Sequence, residues 1–328
     1  MADPPSVSVI LPTHNRPAFL AEAVSSVLAQ RLPPRQVIIV DDGGPSAGSG
    51  SPLLAAEGPP RAEPTGGRND AQHGLDPAWI SSGVAVTVIR GPGRGPGAAR
   101  NAGLKLASGE LVAFLDDDDR WFPRKLELQA EWFARRPALG ILGTGHIADR
   151  RPGEPAHPPP GPGRIRPVSL GALIRANRLV ASSVMARRGC LEELGGFDES
   201  LPLAQDWDLW LRAAAKWEVA VLPTPLVFYR RHAEQRSSDL VEMRYREGEV
   251  LRRALARGLP GRWLRSVARR RLAWSHARLG RLMAGRGEID RAREEFREAM
   301  DLFRCSPLAW AGLMQCAVAA RAPARAKP

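Results

Sequence analysis

The feature that most limits the fold is a pair of short apolar runs near the N-terminus and the segment between them. Residues 7–12, VSVILP, are apolar and β-branched and stop at a proline, and residues 36–44, QVIIVDDGG, stop at two aspartates and two glycines. Short apolar runs without alternation suit strands covered on both faces, as in a parallel sheet. Between them Phe19, Leu20, Ala23, Val24, Val27 and Leu28 recur at helical spacing, so the three segments predict a β-α-β unit. A sheet of that kind gathers its functional residues at the carboxyl ends of its strands.

The rest of the chain extends this α/β pattern and then leaves it. Residues 43–82 are rich in Gly, Pro, Ser and Ala and read as a long irregular surface insertion, with a short helical segment at 53–56. A strand is predicted at 84–91, a helix at 97–108, a strand at 109–116 and another strand at 139–149. A helix over 123–137 is expected to carry Pro123 at its first position. Residues 150–167 form a proline-rich loop. From about Asp239 helix follows helix. Ala277, Leu279, Gly280, Gly287, Ala292, Phe296, Ala299 and Pro307 have the spacing of a helical hairpin that resembles a tetratricopeptide repeat. A lone repeat leaves a face to cover, so it is expected to pack on the first domain or on a protein partner. The expected domains are 1–238, α/β, and 239–328, all α.

Composition removes several classes. A 44% hydrophobic fraction is that of a globular chain, and no run of 18 apolar residues offers a spanning helix. The N-terminal apolar run lacks a preceding basic region, so a protein beginning near Met1 in the cytoplasm is expected. Cys190, Cys305 and Cys316 are too scattered for a disulfide framework or a zinc site. The net charge of +12 suits nucleic acid, anionic lipid or a polyanionic substrate, or else a solvated arginine-rich surface. Clusters at Arg252 and Arg253 and at residues 269–271 suit peripheral attraction to the inner face of an anionic membrane.

Three strand ends are conspicuously polar: PTHNR at 12–16, Asp41 with Asp42, and four consecutive aspartates at 116–119. Together with residues 95–129, GGFDE at 195–199 and QDWDLWLR at 205–212, these segments resemble, in order, the family-2 inverting glycosyltransferases of the GT-A fold. The resemblance covers roughly residues 5–235. It implies a mainly parallel nucleotide-sugar-binding sheet between helices and a donor that is most often a UDP-sugar, with GDP and dTDP also permitted. Pro12, Thr13, Asn15, Asp41 and Asp42 would line the nucleobase pocket, and Arg16 and Arg100 would approach the diphosphate, where a guanidinium fork matches phosphate oxygens. Asp116 and Asp118 would form the DxD element, with Asp117 near sugar and ribose, and Asp118 would be the direct ligand of Mg²⁺ or Mn²⁺. His232 would reach the metal or the diphosphate. Asp206 stands where the family places its general base, with Gln205 replacing the usual glutamate, and Gln205 and Trp207 would meet the acceptor, a glycan or lipid-linked oligosaccharide. Trp210 is either a second acceptor surface or core.

Two other readings compete. Gly93, Gly95 and Ala98 after a strand, with Asp116 beyond, satisfy a dinucleotide fingerprint, yet that reading leaves PTHN, VDDGG and QDWDLWLR without roles. Alternatively, the transferase domain is catalytically impaired and serves as a nucleotide-sugar-binding scaffold with a basic helical interaction module. Nucleic acid is the less favoured partner.

Overall fold

The computed structural model describes residues 4–43, 79, 81–148, 163–231 and 239–319. Its strands are β1 (Val7–Thr13), β2 (Gln36–Asp41), β3 (Ala85–Arg90), β4 (Leu111–Phe114), β5 (Arg120–Trp121), β6 (Leu139–Ala148), β7 (Arg166–Pro167), β8 (Met185–Arg187) and β9 (Glu218–Tyr229). Its helices are α1 (Pro17–Leu28), α2 (Pro96–Leu106), α3 (Lys125–Arg135), α4 (Leu170–Arg175), α5 (Arg188–Glu193), α6 (Gln205–Ala214), α7 (Leu240–Ala256), α8 (Gly261–Gly285), α9 (Ile289–Leu302) and α10 (Pro307–Ala319). Two compact units emerge: Met1–Ser169 with Arg178–His232, and Leu170–Asn177 with Ala233–Pro328. The short helix α4 thus groups with the C-terminal helices.

The first unit is a mixed sheet with helices, in the strand order β3-β2-β1-β4-β8-β6-β9-β5, and β7 pairs with β9. The half built from β3, β2, β1 and β4 is parallel throughout, as the β-α-β reading requires. Antiparallel β8 then separates β4 from β6, which runs parallel to β9. All seven residues of β1 are buried, and Leu20, Ala23, Val24 and Val27 of α1 pack into the same core as Val37, Ile39 and Leu111. Burying such side chains supplies about 1.5–3 kcal/mol each before entropy is counted. The α1 face is therefore fixed by its apolar stripe.

Two expectations need correction. Pro123 lies two residues before the first residue of α3 and outside the helix, whose N-cap is Arg124, because Phe122 to Lys125 close a turn first. The proline-rich loop does not reach Pro167, since Arg166 and Pro167 pair antiparallel with Val221 and Ala220. Most of that loop, and the helical segment expected at 53–56, lie outside the described residues.

The second unit is helical throughout its described part. Ala277, Leu279, Ala292, Phe296 and Ala299 share one core, and Gly280 sits where a methyl group would press on the Phe296 ring. Gly287, at φ +81, makes the turn into α9 in a conformation that favours glycine.

Candidate active site

Register explains why distant aspartates meet. The β1–β4 ladder ends with Ile10 opposite Phe114, and three residues beyond each of them Thr13 and Asp117 are hydrogen-bonded; in the β1–β2 ladder Thr13 is opposite Asp41. The carboxyl ends of three parallel strands thereby deliver Asp41, Thr13 and Asp117 to one edge.

The four-aspartate run is compensated unequally there. Thr13 Oγ1 donates to Asp117 Oδ2 at 2.8 Å and the His14 N–H donates to the same oxygen at 3.4 Å. Arg16 Nη1 bridges Asp118 Oδ2 at 3.1 Å and Asp117 Oδ1 at 3.5 Å. Arg100 Nη2 pairs with Asp116. Asp119 is buried and accepts the Arg230 N–H at 3.1 Å. Burial, opposed by the Thr13 hydrogen bond and Arg16 and aided by Asp118 and Asp116, pushes the Asp117 carboxyl up to about 6. Burial, and then the charge of Asp116, raises Asp119 well above the usual range. Asp119 is therefore a buried anchor of the turn, and Asp116 and Asp118 are the members open to a ligand, their side chains 35% and 14% exposed.

The glycine run is held by Asp42. Its Oδ1 accepts from Gly93 N–H and its Oδ2 from Gly95 N–H, both at 2.7 Å, with the two glycines at φ +68 and +91. Amides that a dinucleotide fingerprint would aim at a pyrophosphate are thus spent on a carboxylate, which removes the physical basis of the dinucleotide reading. Both carboxylate oxygens of Asp42 are engaged, so Asp42 serves the loop. Asp41 accepts from Gly43 N–H through Oδ1, while its buried Oδ2 has no partner among the described residues. Asn15, beside Gly43, sits at φ +55, an uncommon conformation for a residue other than glycine. Pro12 is buried in β1 and contributes backbone.

Arg100 and Gln205 present further unsatisfied groups. Arg100 is buried on α2, its guanidinium 5.4 Å from the Phe197 ring centroid, and Nε and Nη1 lack partners among the described residues. Gln205 packs its Cγ near Gly97, one turn before Arg100, and its buried Oε1 is likewise without a partner. The N-terminal turns of α2 and α6 thus lie together, and Asp206 stands in the first turn of α6. Ala204, the N-cap of that helix, has φ +58 and ψ +18, so a left-handed alanine aims the turn.

Several expected contacts are not brought to a surface. Trp207 is 1% exposed and Trp210 is fully buried, with its Nε1 donating to Leu179 O at 3.2 Å and its ring edge-on to Phe197. Neither indole offers a face to an acceptor. The apolar side of α6 needed them for packing, so the acceptor role drawn for Trp207 is withdrawn. His232 lies outside the described residues.

The sequence reading missed the residues that position this edge. Ser182 Oγ accepts the Asp116 N–H at 3.1 Å, and Trp121 Nε1 donates to Ser182 O at 2.8 Å. Asn101 exchanges hydrogen bonds with the Phe197 backbone, and buried Asp208 pairs with Arg212, which donates to Leu194 O and Gly196 O. Helical spacing of Asp208 and Arg212, four apart in QDWDLWLR, is the signal that could have revealed this last pair.

A hard divalent cation would find suitable carboxylate oxygens in Asp116 and Asp118. Among the described residues no group of three His, Cys, Asp or Glu side chains is placed to hold a metal.

Comparison with known proteins bears on the family and the fold. Residues 8–60 and 77–178 match the model of Glycosyl transferase family 2. An uncharacterized glycosyltransferase of Rickettsia felis is 25% identical over 250 residues, 72% of this chain and 36% of that protein. WcaA of Escherichia coli (strain K12), a glycosyl transferase assigned provisionally to colanic acid biosynthesis, is 27% identical over 66% of this chain and 69% of its own length. The chain spans about a third of the length of three of the Rickettsia relatives it matches. Among solved structures, S. aureus TarS 1–349 with UDP-GlcNAc aligns with a TM-score of 0.63 at 18% identity, covering 95% of this chain and 89% of that one. The mannosyltransferase PcManGT of Pyrobaculum calidifontis, with GDP-Man and Mn²⁺, aligns with a TM-score of 0.57 at 18% identity, covering 97% and 81%. These two likenesses establish the GT-A fold.

Proposed function

This chain belongs to glycosyl transferase family 2, and from that premise we propose that it transfers a sugar, with inversion, from a UDP-sugar to an acceptor hydroxyl on a growing surface polysaccharide or lipid-linked glycan. The observation that carries the reading is the edge where Arg16 and Arg100 meet Asp116, Asp117 and Asp118. Guanidinium groups that pair with carboxylates are equally suited to a diphosphate. The structure of TarS with UDP-GlcNAc and the name of WcaA favour a UDP-sugar and a polysaccharide.

In this account the nucleobase contacts Thr13 and Asn15, with the free Oδ2 of Asp41 as the acceptor for an N–H of the base. The diphosphate draws on Arg16 and on the unpartnered Nε and Nη1 of Arg100. Asp206 takes the proton from the acceptor hydroxyl as its oxygen bonds to the anomeric carbon. The bond from that carbon to the phosphate oxygen breaks, and its electron pair leaves with the nucleoside diphosphate. Asp118 and Asp116 would hold Mg²⁺ or Mn²⁺, whose charge favours departure of the diphosphate. PcManGT, of the same fold, carries Mn²⁺.

Asp206→Asn is expected to lower turnover of a labelled UDP-sugar on the order of a thousandfold while leaving UDP affinity within about twofold. The anomeric configuration of the product reports inversion. Turnover that survives Asp206→Asn contradicts the assignment of the base, and tight UDP binding without turnover in the wild type favours the scaffold reading.

A further inference from the structure

The positive charge of the helical unit is concentrated on one helix. Over residues 239–319 there are 17 arginines and 10 carboxylates, a difference of +7, and α8 alone holds seven arginines and no acid. The other described helices and turns of that stretch balance to zero.

Six of these arginines, Arg262, Arg265, Arg269, Arg270, Arg278 and Arg281, are exposed, and none has a carboxylate partner among the described residues. This contrasts with α7 and α9, where five of seven arginines form ion pairs at i,i+3 or i,i+4. An arginine face that only covered the fold would be expected to carry such carboxylates, as these neighbours do.

The arginines alternate with indoles along one line. Trp263, Arg270, Trp274, Arg278 and Arg281 fall within an arc of about 80° and span about 27 Å of the helix. Trp263 is 61% and Trp274 is 40% exposed, and every exposed large hydrophobic side chain described, apart from Leu106, belongs to this unit. The Trp274 ring is crowded by the guanidinium carbons of Arg271 at 4.4 Å and of Arg244 and Arg278 at 5.3 Å. Arg175 lies 5.4 Å from the Trp263 ring centroid. Guanidinium groups on a ring displace the pyranose or base that would otherwise stack there, which disfavours a glycan or nucleic acid as occupant. An anionic bilayer makes no such demand. It takes arginine at its phosphates and tryptophan at headgroup depth, on a flat surface that a straight helix can lie along.

We propose that the Arg/Trp face of α8 docks on an anionic bilayer, its arginines pairing with lipid phosphates and carboxylates and its indoles seated among the headgroups. This is independent of the reaction proposed above.

The test is co-sedimentation of the full chain with vesicles of phosphatidylcholine alone and of phosphatidylcholine with about a third phosphatidylserine. Binding is expected only to the second kind, weakening steeply with salt. Replacing Arg270, Arg278 and Arg281 together by Gln is expected to lower the partition coefficient on the order of a hundredfold, with the melting temperature reporting that the fold is intact. Should that variant unfold, brominated phosphatidylserine vesicles are expected to quench wild-type tryptophan emission, and Trp274→Phe to reduce the quenching. No binding, equal binding to neutral vesicles, an intact triple variant that binds as wild type, or no quenching would overturn the proposal. So would displacement from vesicles by polyphosphate or duplex DNA at equal charge concentration, which would identify a soluble polyanion as the partner.

Discussion

Asp117 shows how one residue reports the chemistry of the edge. Its carboxyl, raised to about 6 from 3.8, binds more protons in the native than in the unfolded state between those values. Its contribution to stability is therefore fully present below pH 3.8 and lost as pH rises through about 6, by roughly 3 kcal/mol at most. Asp117→Asn, which keeps an oxygen for Thr13, is expected to melt above the wild type at pH 7, with the difference closing below pH 4. A constant difference across that range would contradict the assignment. At this scale the sequence was legible in residue type and illegible in orientation. Nothing in VDDGG says which of two adjacent aspartates turns toward the glycine loop, and that choice is made by Gly93 and Gly95.

Among the elements, α6 carries the clearest cost. Ala204 occupies a left-handed conformation that disfavours a β-carbon by about 1–2 kcal/mol, partly offset in a glycine variant by its freer unfolded chain. Ala204→Gly is expected to raise stability by about 0.5–1 kcal/mol, read as a shifted denaturation midpoint with an unchanged slope. In the helical unit a methyl group at Gly312 would overlap the Phe296 ring, so Gly312→Ala is expected to cost about 1–3 kcal/mol in thermal melts. The parallel strands and the α9 hairpin were legible because their periodicity is strong. Two other elements were not. β8 has three residues, too few for a pattern, and β9 contains Pro223 and Pro225, which argue against a strand. The β6–β9 ladder tolerates them through register shifts around Gly145, where a β-carbon would strike the Pro223 carbonyl oxygen.

For the whole molecule, family and fold were readable because five polar segments occur in one order, and parallel register converts that order into proximity. Buried anchors such as Asp119, Ser182 and the Asp208–Arg212 pair were harder to see, since burial decides their roles and composition does not. The two units also divide the physical work differently. Charge in the sheet unit is paired inward around the strand ends, whereas charge on α8 is left facing outward. The central claim is that the strand-end edge binds a nucleotide sugar through its arginines and acidic run, and ligand-dependent melting tests it most directly. With Mn²⁺ present, a UDP-sugar is expected to raise the wild-type melting temperature by several degrees, and to leave Asp118→Ala unmoved. A rise produced by NADH in place of UDP-, GDP- or dTDP-sugars, or one that persists in Asp118→Ala, would contradict it.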